Sequence, residues 1–265
     1  RNRLSRRGMQ STTELLSSNQ YRYFVTSLLI PRTHPSKDYN TLRLSYRYND
    51  IDFVGTDQNL TLSASHTLVT RPSLAQLRRR EWSVNYTLDQ SQYDGASKSN
   101  NQFLYPKVEY TQQFNYPTRR VNLQFTQDIM ANIRPLLTPA DFVRLVATQK
   151  LHYRLSPKQS ALFRFKQGVI QSSGDADQLP ISWFFYTGGA YSVRGFEFNS
   201  IGADPNNSAR TNNYLYTASL ELQHVLRDGI YGLGFFDSGD AFTTWFNTQT
   251  SYSVGSGVMW QSFVG

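Results

Sequence analysis

Apolar and polar residues alternate along most of this chain with a period of two. Leu42, Leu44, Tyr46 and Tyr48 alternate with Arg43, Ser45, Arg47 and Asn49. The same alternation recurs in segments that begin near Leu60, Trp82, Val121, Leu145, Tyr216 and Val254. Such alternation is typical of β-strands whose two faces meet different environments, and about twelve segments show it. The pattern therefore predicts an all-β protein.

Several of these segments are about as long as a membrane-crossing strand, which needs roughly 9 to 11 residues. Turn-forming residues separate them, and turns are expected at residues 31–38, 55–58, 94–101 and 172–178. Residues 130–141 are expected to be irregular or briefly helical. A spanning helix needs about 18 to 20 consecutive apolar residues, and no stretch approaches that length.

The composition favours a membrane barrel over a soluble β-sandwich. The chain has 17 Tyr, 17 Phe and 4 Trp, yet its mean hydropathy is −0.51. A sandwich would have a largely aliphatic inner face, whereas here the apolar positions are often aromatic and the opposite face carries charges. An open sheet edge in lipid would leave backbone groups unpaired, so membrane strands must close. We predict a transmembrane antiparallel β-barrel, with residues 1–265 as one domain.

The net charge of +8 raises the question of nucleic-acid binding. The densest basic run, Arg78, Arg79 and Arg80, precedes an alternating strand, and we interpret it as a solvated turn or a lipid-headgroup contact. No nucleic-acid partner is expected. The chain has no cysteine, which removes thiol chemistry and disulfides, and nothing implies a metal or cofactor. Because it begins at Arg1 rather than Met, either a signal peptide has been removed or the chain is a fragment of a longer protein, and a fragment is expected.

Three motifs occur in order near the end of the chain. The first is Val193-Arg194-Gly195-Phe196, which lies within residues 188–196. The second is the acidic strand residue Glu221, and the third is Phe235-Phe236-Asp237-Ser238-Gly239. Together they resemble the signature of the large-loop superfamily of outer-membrane assembly and secretion barrels. Residues 183–189, 199–202, 234–241 and 255–262 are also similar to the TamA-like subunits of the translocation and assembly module.

The resemblance implies a barrel of sixteen strands with a long, inward-folded loop before the last strands. In that family the loop arginine meets acidic strand residues, so Arg194 is expected to pair with Glu221 and Asp237 inside the lumen. Gly195 would permit a tight turn, and Phe196 would pack against the wall. The resemblance also implies that the first two strands, the last two strands and the periplasmic POTRA (polypeptide-transport) repeats are absent from these 265 residues.

Residue parity supports part of this assignment. Glu221 lies on the polar face of its strand, opposite Leu220 and Leu222. Asp237 shares its face with Phe235, which would also point inward unless a β-bulge intervenes. Gly239 is a position that would permit such a bulge.

The function implied by the resemblance is the insertion or export of β-barrel proteins and autotransporters. Its implied partners are the lipid bilayer, a TamB-like periplasm-spanning subunit reached through the POTRA repeats, and unfolded outer-membrane or autotransporter substrates. A two-partner secretion transporter that exports a dedicated exoprotein is the first alternative, and a passive porin is the second. An enzyme is not expected, because the four histidines, His34, His66, His152 and His224, are scattered along the sequence.

Overall fold

The protein folds as one antiparallel β-sheet in which each strand pairs with the next strand along the chain. The structure is a computed structural model that describes residues 2–3, 8–116, 118, 120–132, 139–175, 178–204, 211–244 and 248–261. Within them the sheet has thirteen strands, in the order β1 to β13. The prediction of an all-β antiparallel fold is confirmed. The described part of the sheet is open, since β13 and β1 each pair on one side only.

Twelve of the strands have eight or more residues. The strands are β1 Asn2–Arg3, β2 Gln10–Ser17, β3 Tyr21–His34, β4 Asp38–Ile51, β5 Gly55–Ser73, β6 Gln76–Tyr93, β7 Ser99–Tyr116, β8 Val121–Asn132, β9 Phe142–Ser156, β10 Gln159–Ser172, β11 Tyr214–Arg227, β12 Ile230–Phe242 and β13 Ser251–Trp260. The longest, β5, has 19 residues. It extends well beyond the length needed to cross a bilayer.

The two faces of the sheet differ as the alternation predicts. One face exposes large apolar side chains, including Leu42, Leu44, Leu60, Leu62, Trp82, Val84, Val143, Leu220 and Phe236. The other face, called the inner face below, carries buried polar residues such as Asp57, Asn59, Asn85 and Thr87. An apolar outer band and a polar interior are the arrangement of a transmembrane barrel.

Three boundaries expected from the sequence are wrong. Pro31 lies inside β3, opposite Tyr39, rather than in a turn. The turn placed at residues 55–58 is formed by residues 52–54, and Gly55 begins β5. Met130 is the antepenultimate residue of β8, so residues 130–132 are extended. Residues 133–138 of the stretch expected to be irregular, and residue 262 of the last family-like phrase, lie outside the described residues.

A long loop connects β10 to β11, and its described residues lie against the inner face. Its short 3-10 helix, Ile181–Trp183, buries the side chains of Ile181 and Trp183. Ile181 packs with Ile51, Val54 and Tyr93, while Trp183 packs with aromatic residues of β7 and β9. Because one segment contacts strands this far apart, the sheet must curve around it. No described helix is long and apolar enough to cross a membrane.

Candidate functional site

The tip of the long loop is closed by a short backbone ladder. Thr187 and Ile201 form an antiparallel bridge, with N–H···O distances of 3.0 and 2.8 Å. Within the enclosed segment, the Gly188 amide donates to the Ser192 hydroxyl at 3.0 Å. Gly195 has φ +88°, a left-handed conformation that favours glycine. This geometry presents the side chain of Arg194 to the strands beside it.

Arg194 donates hydrogen bonds to three side chains on β11 and β12. Its Nε and Nη2 atoms donate to the two carboxylate oxygens of Asp237 at 2.7 and 2.8 Å. Its Nη1 atom donates to Glu221 at 2.6 Å, and Nη2 also reaches the Ser219 hydroxyl at 3.2 Å. The backbone amide of Arg194 donates to Asp237 at 3.1 Å. The structure therefore brings Arg194, Glu221 and Asp237 together.

The three charges form a compact cluster on the inner face. Asp237 has no exposed surface and Glu221 is buried. The hydrogen bonds to Asp237 and Glu221 raise the pKa of Arg194 above its ordinary value, so the guanidinium stays charged. A bidentate arginine–carboxylate pair fixes both distance and orientation. The arrangement holds the loop tip to β11 and β12.

Phe235 faces inward together with Asp237, and the pairing of β12 with β11 is unbroken there. No β-bulge intervenes between Phe235 and Gly239, so Phe235 shares the inner face as its parity predicts. The shared parity has a physical use: the Arg194 guanidinium carbon lies 3.5 Å from the centre of the Phe235 ring. Opposite Phe235 on β13 lies Gly255, where an added Cβ would be 2.5 Å from the ring. Because Gly255 has no side chain, the Phe235 ring can lie against β13 on one side and contact the Arg194 guanidinium on the other.

Gly239 permits a close approach between the loop and the wall. A Cβ at Gly239 would lie 3.0 Å from the Val193 side chain and 2.9 Å from the Tyr216 carbonyl oxygen. Val193 itself has no exposed surface. Glycine at this position therefore lets the loop backbone approach the wall closely enough for Asp237 to reach Arg194.

The expected packing of Phe196 against the wall stays a prediction. Phe196 keeps 37% of its surface exposed. The wall position beside the guanidinium is filled by Phe235, and the chain turns away at Gly195. Tyr191, in the same loop tip, is 94% exposed.

A second attachment of the loop was not predicted from the sequence. The Asp57 carboxylate on β5 accepts a hydrogen bond from the Ser182 backbone amide at 3.1 Å. Asn49 and Asn59 donate to the same carboxylate at 3.0 and 2.7 Å, and Asn59 also reaches the Ser182 hydroxyl at 3.3 Å. The loop is therefore tied to β5 as well as to β11 and β12.

A third attachment lies on β9 and β10. The Nε atom of Arg144 donates to the Trp183 carbonyl oxygen at 2.9 Å, and its guanidinium lies 4.8 Å from the centre of the Phe185 ring. A Cβ at Gly168 would lie 2.5 Å from that ring. Together the three attachments span the inner face from β5 to β12.

The other residues singled out from the sequence lie away from this cluster. Arg79 points to the inner face, where it pairs with Glu81 and with Glu109 at 2.9 Å. The run of three arginines is thus divided between the two faces of β6. Among the described residues, no histidine has both a hydroxyl and a carboxylate partner. His34 contacts the Ser36 hydroxyl, and His66 lies 3.7 Å from Asp38 while stacking on Trp82.

Comparison with known proteins shows the family and the fold that this chain shares with others. A family model described as the Omp85 superfamily domain matches residues 6–265. The structure is similar to BamA from Haemophilus ducreyi lacking POTRA domains 1–3, with a TM-score of 0.71 and 14% identity over 97% of this chain. It is also similar to CdiB from Acinetobacter baumannii, with a TM-score of 0.52 and 12% identity over 96% of this chain. The chain covers 59% of the first and 53% of the second.

Proposed function

This chain belongs to the Omp85 superfamily, and from that premise we propose that it inserts or exports β-barrel proteins and autotransporters. Superfamily members of this kind are barrels of the bacterial outer membrane, and this chain is one of them. Their work is done on substrate proteins in that membrane. In the proposed mechanism, strands at the barrel seam template substrate strands by edge pairing. Binding and strand exchange drive the process, with no catalytic step.

The observation that carries the proposal is the Arg194 cluster. A charged group held inside a lumen is destabilising unless it is fully paired, and breaking such a pair costs about 3 to 5 kcal/mol. A fully paired cluster of this kind is useful where the position of the loop matters. A barrel that handles other proteins would use such a loop to keep the shape of its lumen fixed.

We place the chain with the TamA-like members. Two of the four phrases that carry that resemblance, residues 183–189 and 199–202, meet in the bridge between Thr187 and Ile201. This bridge closes the loop segment that bears Arg194, so the phrases support the same anchor. By this assignment the partner is a TamB-like periplasm-spanning subunit, bound through POTRA repeats, and the substrates are unfolded outer-membrane proteins or autotransporters.

A two-partner secretion transporter is the second candidate, since the fold is also similar to CdiB. That candidate would export one dedicated exoprotein and would have no effect on other barrels. The similarity concerns the fold alone, and the TM-score is lower than for BamA. The loop phrases at residues 183–189 and 199–202, which resemble TamA-like subunits, favour the assembly role.

Deletion of the gene followed by complementation tests the proposal. In the deletion strain, pulse-labelled autotransporters and outer-membrane barrels should reach their folded, protease-resistant form more slowly. The wild-type gene and Arg227→Glu, a charge reversal at the exposed end of β11, should restore normal assembly. Arg194→Glu should not. Loss of a single exoprotein alone would support the second candidate, and single-channel conductance with normal assembly in the deletion strain would support a porin.

A further inference from the structure

The inner faces of β9 and β10 carry only positive charges. Neither strand contains an acidic residue. Their cations are Arg144, Lys150 and Arg154 on β9 and Arg164 and Lys166 on β10. The pairing register places Lys150 directly opposite Arg164. Two like charges directly opposite one another destabilise a sheet unless something else neutralises them.

The neighbouring wall is built differently. On β6 and β7, Arg79 pairs with Glu81 and Glu109. Lys107 pairs with Asp128 of β8 at 2.5 Å. Each of these cations therefore has a carboxylate of its own in the wall. The positive charge of β9 and β10 is a local feature and is not shared by the whole inner face.

Two adjoining cavities lie between this basic wall and the loop. Their volumes are about 230 Å³ and 340 Å³. Lys166, Tyr186, Asn199 and Leu215 line both of them. The other cations of the cavities are Arg47 and Arg144 in the first and Lys150 and Arg164 in the second. Five cations thus line the joined space, and no carboxylate does so among the described residues.

Several of these cations have unused hydrogen-bonding capacity. In the described part of the chain, neither Lys150 nor Lys166 has a carboxylate within 4.0 Å. The Nε atom of Arg164 is buried and has no hydrogen-bond partner. Its Nη2 atom lies 3.9 Å from Glu221, but the same carboxylate oxygen already accepts from Arg194 at 2.6 Å. The positive charges of β9 and β10 are therefore not neutralised by carboxylates of the described wall.

We propose that this space binds an acidic polypeptide segment in extended conformation. On β9 and β10 the basic residues lie at even-numbered positions, so along each strand they are spaced by whole multiples of about 6.6 to 6.8 Å. Side chains on one face of an extended peptide have the same spacing, so carboxylates on that face would match the spacing of these cations, with Arg164 and Lys166 meeting successive ones. The exposed rings of Tyr191 and Phe198, at the rim of the same cavity, would contact the apolar residues between the carboxylates.

This inference rests on the proposed function, because a barrel that handles unfolded chains would present such a site to them. The polypeptide segment that would bind has acidic residues alternating with apolar or small ones. The wall strands are already paired on both sides. Recognition therefore depends on side chains, and it is separate from edge pairing at the seam.

A peptide-binding measurement on the full-length protein in detergent tests the site. The probes are fluorescent ten-residue peptides in which Thr alternates with Glu, Gln or Lys. Fluorescence anisotropy should detect saturable binding of the Glu peptide alone, weakened by added salt. The paired variant Lys150→Gln/Lys166→Gln should bind it at least about tenfold more weakly. The control Lys37→Gln/Lys158→Gln removes the same charge from exposed turns and should bind normally.

Equal binding of the Gln peptide, or equal loss in the control variant, would overturn the proposal. So would saturable binding of phosphatidylglycerol micelles without saturable binding of the Glu peptide, which would assign the wall to lipid phosphate. Heat-modified mobility on gels shows whether each variant is folded. Peptide binding is measured without any assembly step, so the two proposals can fail separately. If the Glu peptide binds as expected but assembly is normal in the deletion strain, the proposed function is rejected and the peptide-binding site still stands.

Discussion

Arg194 donates three hydrogen bonds to the carboxylate of Asp237, two from its guanidinium and one from its backbone amide. Asp237 lies on β12 and has no exposed surface, while Arg194 lies in a loop 43 residues earlier in the chain. One carboxylate therefore fixes both the side chain and the backbone of the loop tip. The predictions below follow from this attachment and from the contacts that support it.

Charge reversal in Arg194→Glu is expected to abolish assembly activity, because three carboxylates would then meet inside the lumen. Arg194→Lys should lose most of the activity, since an ammonium cannot make the bidentate contact with Asp237. Pulse-chase measurement of autotransporter assembly checks both variants. Normal assembly by Arg194→Glu, in a protein shown to be folded, would reject the anchoring role.

Asp237→Asn should be more damaging than Glu221→Gln. Asp237 accepts three hydrogen bonds from Arg194, whereas Glu221 accepts one and is also bound by Gln223 at 2.7 Å. Removing a charge that fully engages its partner typically costs several kcal/mol. Free energies of unfolding in urea from lipid vesicles would show the ranking. An equal or reversed order would mean that Glu221 is the principal partner.

Gly255→Ala should weaken the cluster without changing any charge. Its Cβ would lie 2.5 Å from the Phe235 ring and force the ring away from Arg194. The lost cation–π contact is worth about 0.5 to 2 kcal/mol. Gly257→Ala is the matched control, because on the same face of β13 its Cβ would meet Leu233 at an ordinary 3.6 Å. Indistinguishable stabilities of the two variants would show that the position of the Phe235 ring is unimportant.

Asp57→Asn should loosen the loop at its second attachment. The amide would offer one acceptor oxygen where the carboxylate now accepts from Ser182, Asn49 and Asn59. A buried donor left without a partner costs about 1 to 3 kcal/mol. Limited proteolysis should then cut near residue 182 faster than in Asp52→Asn, a change at an exposed turn. An unchanged cleavage rate would mean that Ser182 is held by its apolar neighbours alone.

The strands and their faces could be predicted from the sequence because alternation is a local property. Leu220 and Glu221 were assigned to opposite faces correctly, and the structure agrees. The juxtaposition of Arg194 with Asp237 was expected only through the family resemblance, since no local pattern joins residues so far apart. The strand ends were harder to place. Pro31 and Gly55 are turn-formers that here occupy strand positions, because the sheet on either side of them continues.

The contacts missed from the sequence are long-range and depend on side-chain shape. The carboxylate of Asp57 meets Ser182 from 125 residues away, and nothing near either residue indicates the pairing. Phe235 on β12 and Gly255 on β13 are directly paired, and their roles depend on this pairing. Parity had already shown that Phe235 would face inward, but only the position of the Arg194 guanidinium explains why an aromatic ring is useful there.

A double-mutant cycle of Arg194→Ala and Asp237→Ala tests the anchoring claim most directly. The free energy of unfolding is measured for the wild type, both single variants and the double variant. If the two residues act on one another as the structure shows, the coupling energy should exceed about 1.5 kcal/mol, and the double variant should be scarcely less stable than either single one. Losses that add to within about 0.5 kcal/mol would contradict the account.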